Sequence, residues 1–152
     1  RCSGTGTGNI PLILERASDN GTSIEFKRAG SVVGNINVTS TTTNYVTSSD
    51  YRLKENVVAL DGAITRVKQL QPRRFNFIVD ADATVDGFLA HEAQIVVPEA
   101  VTGTHNEVDD DNNPVYQGID QSKLVPLLTA ALQETIAKIE TLETKVAALE
   151  AG

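Results

Sequence analysis

Residues 122–152 read SKLVPLLTAALQETIAKIETLETKVAALEAG. Leu132, Ile139 and Val146 stand seven residues apart, and Leu128, Leu142 and Leu149 fall on the companion core position of the same heptad. Apolar residues repeating every 3.5 positions make a seam along one helix that a second helix can cover, so this stretch predicts a coiled coil. Thr135 is the polar residue on the seam. Lys138 with Glu143, and Lys145 with Glu150, occupy the flanking positions that pair charges between parallel helices. A β-branched residue at one core position with Leu at the other favours two strands by the usual rule. The competing reading is a terminal helix packed on its own domain.

Upstream, residues 49–121 have the pattern of a small α+β body. Asp61 is a good N-cap, Ile64, Val67 and Leu70 recur at helical spacing, and Pro72 ends that helix. Phe75, Phe77 and Val79 then alternate with Asn76 and Ile78, which predicts a strand with one buried face. Gly87-Phe88-Leu89-Ala90 is a second apolar run, and Glu92 to Val97 predicts a brief helix stopped by Pro98. Residues 102–114 form a polar, acidic loop leading to Val115-Tyr116, a candidate edge strand.

Residues 1–48 differ in kind. They carry four cations and three anions against nine and seventeen in residues 49–152, and they are rich in Gly, Ser, Thr and Asn. Ile24 and Phe26 alternate with polar neighbours, Ala29-Gly30 is a turn, and Val32, Val33, Ile36 and Val38 mark a return strand. The tract Thr39 to Asn44 is a thin stem stabilised by pairing with other chains, or a flexible linker. Strands with so little apolar area cannot fill a core alone. The expected whole is α+β, with a β-stranded stem over 1–48, a body over 49–121 and a coiled-coil helix over 122–152.

A chain of 152 residues holds one ordinary domain, or a small domain with an extended appendage. A net charge of −7 argues against binding a phosphate backbone, which needs clustered cations. No apolar run approaches the ~20 residues that span a bilayer, so no membrane partner is expected. The single cysteine, Cys2, cannot make an internal disulfide or a zinc cluster by itself. The sequence has no methionine, which predicts a piece of a longer protein unless the first residue was removed.

At the junction of the two compositions lies Ser49-Asp50-Tyr51-Arg52-Leu53-Lys54-Glu55-Asn56, a serine closely followed by a lysine. This segment resembles the signature of the self-cleaving C-terminal intramolecular chaperones of phage tailspikes, tail fibres and neck appendages, a serine/lysine autoprotease family. Three further stretches agree: Gly87 to Glu92 leading to Pro98-Glu99-Ala100-Val101, Tyr116 to Asp120, and Ser122 to Leu128 ending in Gln133-Glu134. The resemblance covers about 49–150. Thr135 departs from it, since an apolar residue is usual after the Gln-Glu pair.

The resemblance implies a homotrimer that registers the preceding fibre segment as its folding client and then cuts itself off between Ser48 and Ser49. Residues 1–48 would stay with the tail fibre or tailspike of the virion, and the chaperone would be released in the host cytoplasm during assembly. No cofactor is implied. Ser49 would be the nucleophile and Lys54 its base, with Asp50 and Arg52 in support. A lysine at its free pKa of ~10.4 is protonated and useless as a base, so the site must desolvate it or place a cation nearby, for which Arg52 is a candidate. Positions five apart lie about 140° apart around a helix and on opposite faces of a strand, so Ser49 and Lys54 meet only across a turn or between subunits.

Other signals are weaker. Asp109, Asp111 and Asn113 have the alternate spacing of a calcium loop, but Pro114 stands where that loop needs Gly, so no metal is expected there. His91-Glu92 lacks the second histidine of a zinc helix, and His105 lies in a polar loop. Gly4, Gly6 and Gly8 include no lysine for phosphate and read as a flexible end. Two further functions stand beside the self-cleaving chaperone: a trimerisation module that does not cleave, and a receptor-binding tip. The tip should show exposed aromatics, yet only 5% of the residues are aromatic.

Overall fold

Three short runs in the first half pair into a meander. In the computed structural model, which describes residues 12–151, β1 (Gly21–Arg28) and β2 (Ser31–Val38) form an antiparallel hairpin. Ala29 and Gly30 join them with φ of 49° and 83°. Two successive positive φ values define the turn whose twist matches a hairpin, and glycine supplies the second without strain. Polar Thr39–Thr42 is neither linker nor strand but a second turn, in which Thr39 Oγ1 accepts the backbone N–H of Thr42 at 3.0 Å. It leads into β3 (Thr43–Thr47), which pairs with β2 and was hidden by its polar composition. None of the apolar residues of this sheet is fully buried in the single chain. The glycines at Gly4, Gly6 and Gly8, and Cys2, lie outside the described residues.

The chain divides into two compact units, the first ending at Val57 and the second beginning at Val58. The second unit is built on the C-terminal helix. Helix α1 (Ala63–Val67) leads through two turns to β4 (Arg73–Phe77) and β5 (Asp80–Gly87), an antiparallel hairpin. Helix α2 (Ala90–Val96) follows, closed at Val97 before Pro98 as the sequence predicts. Strand β6 (Val101–Thr102) pairs with β7 (Gly118–Ile119), and α3 runs from Leu124 to Glu150. The core comprises Ala63, Ala93, Val96, Val97, Ala100, Val101, Leu124, Leu127, Ala130 and Ala131. Most of these are small, which lets α1, α2 and the first turns of α3 approach closely.

Three local expectations are corrected. The alternation through Phe77 does not continue as strand, because Ile78 and Val79 form the hairpin tip and are 100% and 95% exposed. The edge strand is Gly118–Ile119, whereas Val115 and Tyr116 lie in the loop before it. Asp61 does not cap α1. Gly62 holds the cap position with φ 63° and no side-chain bond, and the first N–H groups of α1 are bonded from 70 residues away instead. Glu134 on α3 accepts the N–H of Ala63 at 2.7 Å and of Ile64 at 3.0 Å. A carboxylate at a helix N-terminus satisfies orphan donors and complements the helix dipole.

The N–H groups of Ile64 and Ala63 hold the Glu134 carboxyl below the usual carboxylate range. Its contribution to stability is therefore complete above the unfolded carboxyl pKa of ~4.3 and is lost as pH falls through the lower, folded value. Glu134→Gln should lower stability at neutral pH and weaken its decline on acidification, as read by urea titrations at several pH values. Leu127, only 2% exposed, is among the largest fully buried side chains. Leu127→Ala should destabilise the second unit by about 2–5 kcal/mol, visible as an earlier urea midpoint.

Candidate functional site

Just after β3, the backbone N–H of Ser48 still bonds to Val33 O on β2 at 3.4 Å. The chain then leaves the sheet and tightens into a single 3-10 turn over Tyr51–Leu53. Leu53 N–H donates to Asp50 O at 3.2 Å and Lys54 N–H to Tyr51 O at 3.0 Å, so the chain doubles back on itself. This reversal brings Ser49 and Lys54 together. Lys54 Nζ lies 2.8 Å from Ser49 Oγ and 3.1 Å from Ser49 O. In the single chain the pair meets across the turn, the first of the two routes open to residues five apart.

Asp50 is the N-cap of that turn and is bonded on both carboxylate oxygens. Oδ1 accepts Arg52 N–H at 2.8 Å and Arg52 Nε at 2.9 Å, while Oδ2 accepts Arg52 Nη2 at 2.7 Å. The guanidinium and backbone N–H of Arg52 hold the Asp50 carboxyl well below its ordinary range, with a smaller push from the charge of Lys54. Arg52, the cation that the sequence offers near Lys54, is paired with this carboxylate. Ser49, Asp50, Arg52 and Lys54 are all exposed in the single chain.

The contact between Ser49 and Lys54 can move a proton. At 2.8 Å an ammonium donates to the hydroxyl, and the same geometry lets a neutral amine accept the hydroxyl proton. A serine oxygen so activated is a nucleophile, and the carbonyl before it, that of Ser48, is its nearest peptide neighbour along the chain.

The seam residues of α3 lie on a face that the second unit does not use. Leu128, Leu132, Ile139, Leu142, Val146 and Leu149 are between 49 and 81% exposed, whereas Leu124, Leu127, Ala130 and Ala131 are buried against the core. The helix thus carries two apolar stripes. One packs on its own domain, and the heptad stripe is left exposed among the described residues. Thr135 Oγ1 bonds back to Ala131 O at 2.7 Å, which satisfies its hydroxyl on the helix itself.

The remaining sequence candidates have local explanations. Asp109 Oδ1 accepts the N–H of Asp111 at 3.0 Å and of Asn113 at 2.8 Å, so this carboxylate organises its own loop. The rings of His91 and His105 stack with centroids 4.5 Å apart. Glu92 pairs with Arg73 at 2.6 Å, tying α2 to β4. The role of Glu134 was missed. Its signal was a short helix opening on Gly-Ala without a cap of its own, together with an acidic residue among the apolar positions of α3.

A serine and a lysine joined across a capped turn, ahead of a small α/β body with a long C-terminal helix, define a candidate serine peptidase attached to a folding module. Residues 49–102 match the profile of a peptidase family described as chaperone of endosialidase. The matched segment opens on Ser49 and runs through α2 to β6. No curated protein matches the chain.

Proposed function

We propose that residues 49–152 are an intramolecular chaperone that trimerises, holds the preceding fibre segment in register while it folds, and then releases itself between Ser48 and Ser49. The family match supports the chaperone and peptidase character. The observation that carries the cleavage reading is the 2.8 Å contact between Lys54 Nζ and Ser49 Oγ. In the first step, Ser49 Oγ attacks the Ser48 carbonyl carbon as Lys54 takes the hydroxyl proton. The C–N bond then breaks, the proton passes to the departing Ser49 nitrogen, and an ester joins Ser48 to Ser49 Oγ. Water hydrolyses that ester to a Ser48 carboxylate and a free Ser49 hydroxyl.

Trimer formation along the uncovered heptad stripe supplies what the isolated chain lacks. Lys54 is exposed in the single chain, and a neighbouring chain covering the turn would shield the pair from water. The sheet of residues 21–47 gains by the same event, since its strands bury no apolar residue fully alone and a trimeric clamp lowers the entropic cost of bringing three ends together. Residues 1–48 would remain on the tail fibre or tailspike, and the chaperone would be shed in the host cytoplasm. The exposure of Ser49 and Lys54 favours a second reading, a trimerisation module that never cleaves.

The chaperone role is tested by expressing residues 1–48 alone and with residues 49–152 attached. Soluble oligomer from the full chain and monomer or aggregate from the short one is expected. Equal assembly of both would remove the client relationship.

A further inference from the structure

The tip of the β4–β5 hairpin runs against the usual chemistry of turns. Residues that reverse a chain between two strands are commonly Gly, Asn or Asp, yet this tip is Ile78-Val79, and the two side chains are 100% and 95% exposed. Next to the tip, the same hairpin forms one wall of a cleft of about 580 Å³. Phe75 and Phe77 project from one face of β4 with their rings edge to face, centroids 5.4 Å apart. Gly87 leaves room for the Phe75 ring, which a Cβ there would meet at 3.3 Å. Phe88, Leu89 and Ile119 continue the apolar lining.

The cleft and the tip match in chemistry. Asp86 also lines the cleft, but Arg74 takes both of its carboxylate oxygens, at 2.7 and 2.9 Å, and the other side chains at this surface are neutral or apolar apart from His91. Moving two branched aliphatic side chains from water onto such a surface is favourable. The tip cannot fill its own cleft. Ile78 directly follows Phe77 of the cleft wall, and a two-residue turn has no length to fold back over the strand it ends.

Symmetry offers each tip a cleft on another copy. Rotation about an axis moves nothing along that axis, so a tip meets a neighbour's cleft only where both lie at one level of the molecule, and the adjacency of Phe77 and Ile78 places them so. The axis is that of the heptad stripe. Gln121 of the cleft is followed four residues later by Val125, which is 58% exposed and stands seven residues before Leu132. Each chain then gives one tip and one cleft, a head-to-tail contact that closes into a ring.

We propose that in the trimer the Ile78-Val79 tip of each chain seats in the cleft of its neighbour, so that a second copy completes this surface beside the heptad seam. The inference rests on the trimer of the proposed function and adds a contact to it.

The experiment uses the full chain with Cys2→Ser, which removes its single cysteine. Val79→Cys and Gln121→Cys in the same chain should, on oxidation, give a covalent trimer on a nonreducing gel, because each disulfide joins a tip to the next chain's cleft. Independently, Ile78→Ser/Val79→Ser should raise the concentration at which the trimer half-dissociates by at least about tenfold in sedimentation, since apolar contact is lost at every tip. Both residues are exposed in the single chain, so the variant should keep its fold by circular dichroism. A wild-type half-dissociation concentration in the serine variant overturns the inference, and so do disulfides that form only within single chains. If the serine variant trimerises normally while residues 1–48 no longer assemble, the tip serves the client segment, and this inference fails while the chaperone reading stands. A wild-type chain that is monomeric at micromolar concentration overturns the trimer and the inference together.

Discussion

Chains carrying Ser49→Ala are expected to assemble normally and stay intact, with no product beginning at residue 49. The variant removes one exposed oxygen, and its loss leaves the cores of both units untouched. Deleting the nucleophile of a serine peptidase costs at least ~10³-fold in rate, so cleavage should vanish on the time scale of expression. Lys54→Ala should slow the same step by about 10²–10⁴-fold, the range of general acid–base catalysis. Lys54→Arg is the sharper control. Arginine keeps the charge and nearly the reach but cannot be deprotonated, so it should be as inactive as alanine. Mass spectrometry of the purified chains reads all three, and an arginine variant that cleaves like wild type would exclude Lys54 as the base.

The second large effect is expected at the heptad seam. Leu142 is 59% exposed in the single chain, and the proposed trimer would cover it along the heptad seam. Leu142→Asp would place a carboxylate where apolar side chains converge, at a cost on the order of 3 kcal/mol or more for each unpaired charge taken from water. Sedimentation should show the trimer dissociating at micromolar concentration while the domain core, which uses the other stripe of α3, stays folded. Cleavage should fall with trimer content. Since Ser49 and Lys54 already meet within one chain, co-expressing Ser49→Ala with Lys54→Ala chains should not restore product. Assembly would then gate the reaction by covering the turn rather than by supplying the missing half of the pair. A monomeric Leu142→Asp chain that still cuts at the normal rate would break that link.

What could be read from sequence alone depended on the range of the interactions involved. The heptad of α3 is a periodic signal carried by one helix, and it was visible because nothing outside the helix alters it. The Ala29-Gly30 turn and the stop at Pro98 are equally local. Strand β3 was hidden because its residues, Thr43 to Thr47, are polar or exposed, so pairing with β2 rather than burial makes it a strand. Ile78 and Val79 look like strand continuation because they are β-branched, and only the return of β5 turns them into a hairpin tip. The cap of α1 could not be found near Asp61, since the acceptor arrives from Glu134 through tertiary packing.

The candidate site shows the same division. Its residue types and their place at a composition boundary were legible, and spacing limited Ser49 and Lys54 to a turn or a subunit contact. The choice between those needed the backbone. That the Arg52 guanidinium folds onto the Asp50 carboxylate follows only from the geometry of the turn.

The central claim is that this chain divides itself at one peptide bond once it has assembled. The most direct test is the intact mass of freshly expressed wild-type chain after folding, with the N-terminal sequence of any fragment. The expected result is two pieces, residues 1–48 and residues 49–152, the second beginning Ser-Asp-Tyr-Arg. A folded trimer of uncut chains after prolonged incubation would contradict it.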